Sequence, residues 1–404
     1  FSMSYFLGLL ILYPLILDEF NYMWRIDYRF NYLEFFTSSI IIVAITQFIS
    51  FKGFGNTLIS GLFYFLVVPA LSVSVVTSYG LGHLYISLST LISFFLIRIV
   101  RRKKILLRIV SLNKRTWKVL LLFLVLYCFY IIWSNINSYN IFNALVNVYE
   151  LRKDLKWSGF VSYFLFWISS VFIFWLLAIG IFRSQKVNYL FVFFAISLGI
   201  LSFLATGLKT RLFISFFIFT LLIFIKNPKL GALKFIQLFC GGLISIGLII
   251  PHTIILAGID RILTLPGLLN LRYIEFFGNN PLYLFQDSSL HFLFPFSDKN
   301  YLVSPGYTID CAYGCGGMNA NTGAFGSIYG DIGILGILIF FPLFIAILDI
   351  LFKSLTQNDK LLTGLGVYYS FILVNSPPID LILTHGILIH LIFFYIGIEK
   401  LIKS

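Results

Sequence analysis

Two basic residues lie close together in the segment ATGLKTRLF, Lys209 and Arg211, and both could hold an anion. Arg211 stands where a long apolar run begins, and an unpaired charge taken to membrane depth costs roughly 2.5 to 3.5 kcal/mol. A planar fork of donors at the start of a helix suits a phosphate or pyrophosphate, because bidentate geometry and exposed backbone amides favour the same charge. The alternative is that Arg211 snorkels to lipid headgroups.

Further candidates lie in two polar stretches. In SNINSYNIFNALVNVYELRKDLKWSG, residues 134 to 159, Asn143, Asn147, Glu150 and Asp154 recur at helical spacing. Phe142, Leu145, Val148 and Tyr149 form the opposing apolar face,. Arg152 falls on the apolar edge, so it needs a carboxylate or a ligand phosphate. In DRILTLPGLLNLRYIEFFGNNPLYLF, Pro266 suits a first helical turn and Gly278 an end, predicting a short helix with Arg272 and Glu275 three residues apart,. Arg261 precedes Arg272 by eleven residues, so the two share a face if the helix is continuous. Ion pairs with Asp260 and Glu275 are the simpler alternative. His291, in SSLHFLFPF, reads equally as a packing histidine or a proton acceptor,. In GMNANTGAFGSIYGDIGILG, Asn319, Asn321 and Thr322 could bind sugar hydroxyls, and the glycines permit close approach,. No metal-binding DxD pattern, phosphate loop or nucleophile elbow is present,. Cys128 and Cys240 fall in apolar runs and read as packing residues, whereas Cys311 and Cys315 could form a local disulfide in an oxidising compartment,.

The elements that must position these residues are set by composition. Of 404 residues, 59% are hydrophobic and only 11% charged, against about a quarter charged in soluble domains. The chain reads as an all-α membrane protein, which excludes disordered, fibrous and nucleic-acid-binding classes and leaves the net charge of +13 to be read against the bilayer,. A span needs about 20 apolar residues. Twelve segments serve: 1 to 17, 35 to 51, 57 to 77, 81 to 100, 117 to 134, 159 to 182, 188 to 206, 211 to 225, 232 to 257, 324 to 352, 361 to 376 and 381 to 402. The first lacks a basic leader and a cleavage site, so it reads as a retained span. The stretch from Arg98 to Lys118 is rich in Lys and Arg without acids, which places it in the cytoplasm,. Alternation then puts both termini in the cytoplasm and the loops 134–159 and 258–323 outside. The whole chain, 1–404, reads as one polytopic domain with its working face on that outer side.

At these residues the chain resembles the Wzy-type polymerases of bacterial O-antigen and capsule assembly. The match rests on ATGLKTR, NVYELR, RILTLPGLLNLRYIEFFGNNP and NANTGAFGSIYGDIGILG. Lys209 is a departure, since such proteins often carry a small residue before the Arg. The resemblance implies a membrane glycosyltransferase architecture of the lipid-linked-donor (GT-C-like) type in the inner membrane, with about twelve transmembrane helices and a large periplasmic loop containing short helices. It implies transfer of a growing glycan from undecaprenyl pyrophosphate to a new lipid-linked repeat unit, without metal or other cofactor. The expected partners are that lipid-linked oligosaccharide as donor and acceptor, membrane lipids and a chain-length regulator membrane protein, with no nucleic acid. In this reading Arg211, Arg272 and Arg152 bind the pyrophosphates and Glu150 or His291 assists the acceptor hydroxyl. Lys209, Arg261, Tyr273, Asn319, Asn321 and Thr322 contact substrate. A ligase delivering glycan to lipid A-core would use the same face, but it carries a His where this chain has Asn319 and Asn321. A flippase would line its path with charges through the spans.

Overall fold

The computed structural model describes residues 1–24, 28–77, 79–101, 112–136, 159–227, 229–286, 303–314 and 322–402. Among the described residues every regular element is helical. In chain order these are α1 (Ser2–Trp24), α2 (Tyr32–Thr46), α3 (Phe54–Val76), α4 (Gly82–Val100), α5 (Lys114–Ile136), α6 (Gly159–Phe182), α7 (Tyr189–Thr206) and α8 (Lys209–Lys226). There follow α9 (Gly231–Ile249), α10 (Thr253–Asn279), α11 (Pro305–Tyr313), α12 (Ala324–Ile332), α13 (Gly336–Leu355), α14 (Asp359–Ile372), α15 (Asp380–Leu383) and α16 (Ile387–Tyr395).

Among the described residues, eight helices are long and apolar enough to cross a membrane: α3, α4, α7, α9, α10, α13, the Tyr163–Phe182 part of α6 and the Ser2–Phe20 part of α1. Twelve spans were expected, and the differences have local causes. The segment 232–257 stops at Ile249, because Pro251 cannot continue a helix and His252 Nδ1 caps the next one by accepting from the Ile254 amide at 3.3 Å,. The outer loop expected from 258 therefore begins inside the 27-residue α10, and the expected short helix 266–277 is its second half. The segment 324–352 divides at Gly333 (φ 67°), and 381–402 divides at Gly386 (φ 77°) and Gly397 (φ 79°). These left-handed positions end a helix at little strain only when the residue is glycine.

The chain forms two compact units. One comprises Phe1–Ile105, Ala232–Lys353 and Leu365–Leu381, the other Leu106–Gly231, Ser354–Gly364 and Ile382–Ser404. In the first unit α3 is wholly enclosed, as a helix that is apolar all round must be. The Ser2 hydroxyl at the start of α1 bonds the Tyr64 hydroxyl, and α1 packs along Val68–Val76, so α1 and α3 run in the same direction. Thr253 at the start of α10 donates to Glu19 near the end of α1, and Arg272 donates to Tyr79 just beyond the end of α3. Both ends of α10 thus reach the same end of the α1–α3 pair, so its length alone does not make it a crossing.

The approach of α10 to α3 depends on Gly267. A Cβ there would lie 2.7 Å from the Ala70 amide nitrogen and 2.8 Å from the Pro69 carbonyl carbon. Backbone cannot swing aside as a side chain can, so Gly267→Ala is expected to destabilise by about 1 to 3 kcal/mol. Thermal unfolding in detergent reads this as a lower Tm, and an unchanged Tm would show that the two helices separate freely.

At the far end of the same unit, Arg101 donates from Nε and Nη2 to the two oxygens of Asp349 at 3.0 and 3.1 Å. Asp349 Oδ1 also accepts the Gly55 amide at 2.7 Å, and Lys353 Nζ donates to the Arg101 carbonyl at 2.9 Å. This pins the ends of α3, α4 and α13 together.

In the second unit α6 is largely enclosed by α7 and α8. Trp117 donates from its ring nitrogen to the Ile396 carbonyl at 3.1 Å, and Trp167 to the Leu383 carbonyl at 2.6 Å. Trp175 is fully buried and meets Phe394 edge-on at 5.0 Å between ring centres. Cys128 in this unit and Cys240 in the first are buried in apolar surroundings, as their runs predict. Cys315 lies outside the described residues, and with it the expected pairing to Cys311.

Candidate functional site

Arg211 is placed by the reversal between α7 and α8. Gly207 adopts φ 63°, closing α7 and turning the chain so that α8 starts two residues later,. The side chain faces inward with 4% exposure. Nη1 donates to the Leu165 carbonyl at 2.8 Å and to the Ser202 hydroxyl at 3.0 Å, and the guanidinium carbon lies 4.8 Å from the centre of the Phe166 ring. Nε is buried without a hydrogen-bond partner, and no carboxylate among the described residues pairs with this cation. Burial this deep rules out snorkelling to headgroups. The expected Lys209–Arg211 anion pair does not form, because residues two apart on a helix face different ways; Lys209 is exposed.

No protein-family model, curated protein or solved structure matches this chain.

In the first unit, Arg272 forms a second enclosed cation. It is 4% exposed, donates from Nε to the Tyr79 hydroxyl at 2.9 Å, and stacks over Tyr313 at 4.7 Å and Tyr79 at 5.9 Å. Such cation–π contacts gain strength when desolvated. Glu275, the alternative partner for Arg272, is engaged by another group: the Tyr313 hydroxyl donates to Glu275 Oε2 at 2.6 Å and leans on the Arg272 carbonyl at 3.4 Å. Burial, then the bond to Glu275, pushes the Tyr313 phenol well above its ordinary range, so it stays a donor,. Burial also raises Tyr79, against the opposing pull of Arg272.

Arg261 does not share the face of Arg272. It lies in a π-helical turn, Asp260–Thr264, which widens the helix and shifts the phase of an eleven-residue interval,. Arg261 is exposed while Arg272 is buried. Asp260 Oδ1 accepts the Thr264 hydroxyl. Tyr273, expected to contact substrate, is 2% exposed and packs with Phe277, Tyr283 and Ile309; it fills core. Thr322 is buried, with Oγ1 lacking a hydrogen-bond partner among the described residues. Glu150, Arg152, His291, Asn319 and Asn321 lie outside the described residues. Among the described residues no group of three His, Cys, Asp or Glu is arranged to hold a metal ion.

Sequence reasoning missed several partners. Asn270, fully buried, accepts the Gly326 amide at 2.7 Å and donates to the Pro266 carbonyl at 2.7 Å, tying α12 to α10. Its signal was a lone amide inside the apolar run GLLNL. Tyr79, Tyr313 and Ser202 gave no comparable signal.

Proposed function

We propose that this chain is a Wzy-type polymerase of the bacterial inner membrane, with the lipid-linked-donor glycosyltransferase architecture and its chemistry on the periplasmic side. It transfers a growing glycan from undecaprenyl pyrophosphate to the next lipid-linked repeat unit, alongside membrane lipids and a chain-length regulator membrane protein. The observation that carries this reading is Arg211. A guanidinium this deeply enclosed, held by a carbonyl, a hydroxyl and an aromatic face, keeps a donor unspent and lacks a counter-ion among the described residues. Paired phosphate oxygens supply both the charge and the geometry such a fork accepts. Because its partners already fix it, it stabilises a pyrophosphate without reorganising. Arg272, on α10, is the second guanidinium suited to that task.

Membranes containing the protein, supplied with lipid-linked repeat units, are expected to yield a ladder of polymer. Single repeats alone, under conditions in which a known polymerase makes a ladder, would overturn the reading.

A further inference from the structure

Breaking the bond between an anomeric carbon and a pyrophosphate demands two services. The departing anion must be held, and the attacking hydroxyl must lose its proton. The proposed function assigns arginines to the first and leaves the second open. Glu275 meets the requirements of the second. It is half-buried on α10, one helical turn from Arg272, so the two side chains share a face about 5 to 6 Å apart at Cβ,. Its Oε2 is fixed by the Tyr313 hydroxyl at 2.6 Å, while Oε1 is neither buried nor hydrogen-bonded among the described residues. Tyr313 is itself held over Arg272. A carboxylate with one oxygen clamped and the other open is the arrangement of a positioned base rather than of a structural ion pair.

We infer that Glu275 is the general base of the transfer. This rests on the polymerase reading. In the step, the acceptor hydroxyl gives its proton to Glu275 Oε1 as its oxygen bonds the anomeric carbon of the donor glycan. The bond from that carbon to the pyrophosphate oxygen breaks, and its electron pair leaves with undecaprenyl pyrophosphate. No oxidant, metal or further reactant is required. Tyr313 is a positioning residue, setting the carboxylate plane through its hydroxyl.

The test uses the full chain and two readouts. Polymer length is measured in a strain lacking the gene and complemented with wild type or Glu275→Gln at matched membrane levels. Binding of undecaprenyl pyrophosphate is measured on the purified protein in lipid nanodiscs. Gln still accepts from Tyr313 but cannot take a proton, so the variant is expected to bind the lipid as wild type does and to polymerise about 100-fold or more slowly. Wild-type polymer from Glu275→Gln overturns the inference and leaves the polymerase reading intact. Absence of polymer from the wild-type chain overturns that reading and the inference with it. Should Glu275→Gln fail to accumulate, Tyr313→Phe carries the test. A lower kcat at unchanged KM supports the assignment, and a wild-type kcat overturns it.

Discussion

Arg211→Lys is expected to retain its place in the membrane and lose most polymerising activity. Lysine keeps the charge but has no planar fork, so it cannot serve the Leu165 carbonyl, the Ser202 hydroxyl and a pair of phosphate oxygens together,. Losing one charge-assisted hydrogen bond, worth about 1.5 to 3 kcal/mol, lowers the rate by roughly 10- to 150-fold. Arg211→Ala is expected to make no polymer. The measurement is polymer length in a deletion strain complemented with each variant at matched levels. Normal polymer from Arg211→Ala would remove Arg211 from the site altogether. Normal polymer from Arg211→Lys alone would reduce its role to that of a point charge.

Asp349→Ala is expected to produce the largest loss of stability. The carboxylate, 1% exposed, satisfies both the Arg101 guanidinium and the Gly55 amide. Removing it strands a partly buried cation and a backbone donor at once, a loss of about 3 to 5 kcal/mol. Asp349→Asn still accepts the Gly55 amide and should lose less. Thermal unfolding in detergent distinguishes the two, and equal Tm values for Asp349→Ala and wild type would show that the pin contributes nothing. Neither variant touches Arg211 or Glu275, so any protein that remains folded should polymerise normally.

The same residues show what a sequence discloses. The apolar runs around α3, α4, α6 and α7 were legible to within a few residues, because hydropathy over a span is a sum of many side chains. The helix breaks were not, because each depends on a single residue, Gly333, Gly386, Gly397 or Pro251, whose effect a sum conceals. Nor was the π-helical turn at Asp260–Thr264, which tertiary packing selects and which moved Arg261 off the expected face. Arg211 and Arg272 were conspicuous as cations within apolar sequence, and both are enclosed. Their surroundings were invisible: Tyr79 lies 193 residues from Arg272, and Tyr313 lies 38 from Glu275. No local pattern encodes a contact of that range. The Lys209–Arg211 pair fails for the opposite reason, since residues two apart on a helix are adjacent in sequence but face different ways.

The enclosed indoles have a spectroscopic consequence. Among the tryptophans whose side chains are described, Trp117, Trp167 and Trp175 all belong to the second unit. Trp117 and Trp175 sit in dry surroundings among aromatic rings, where emission is shifted to the blue and shielded from aqueous quenchers. The emission of these indoles is therefore a signal from the unit that holds Arg211. A tryptophan introduced beside Glu275 or the Asp349 pin would give the first unit a reporter of its own.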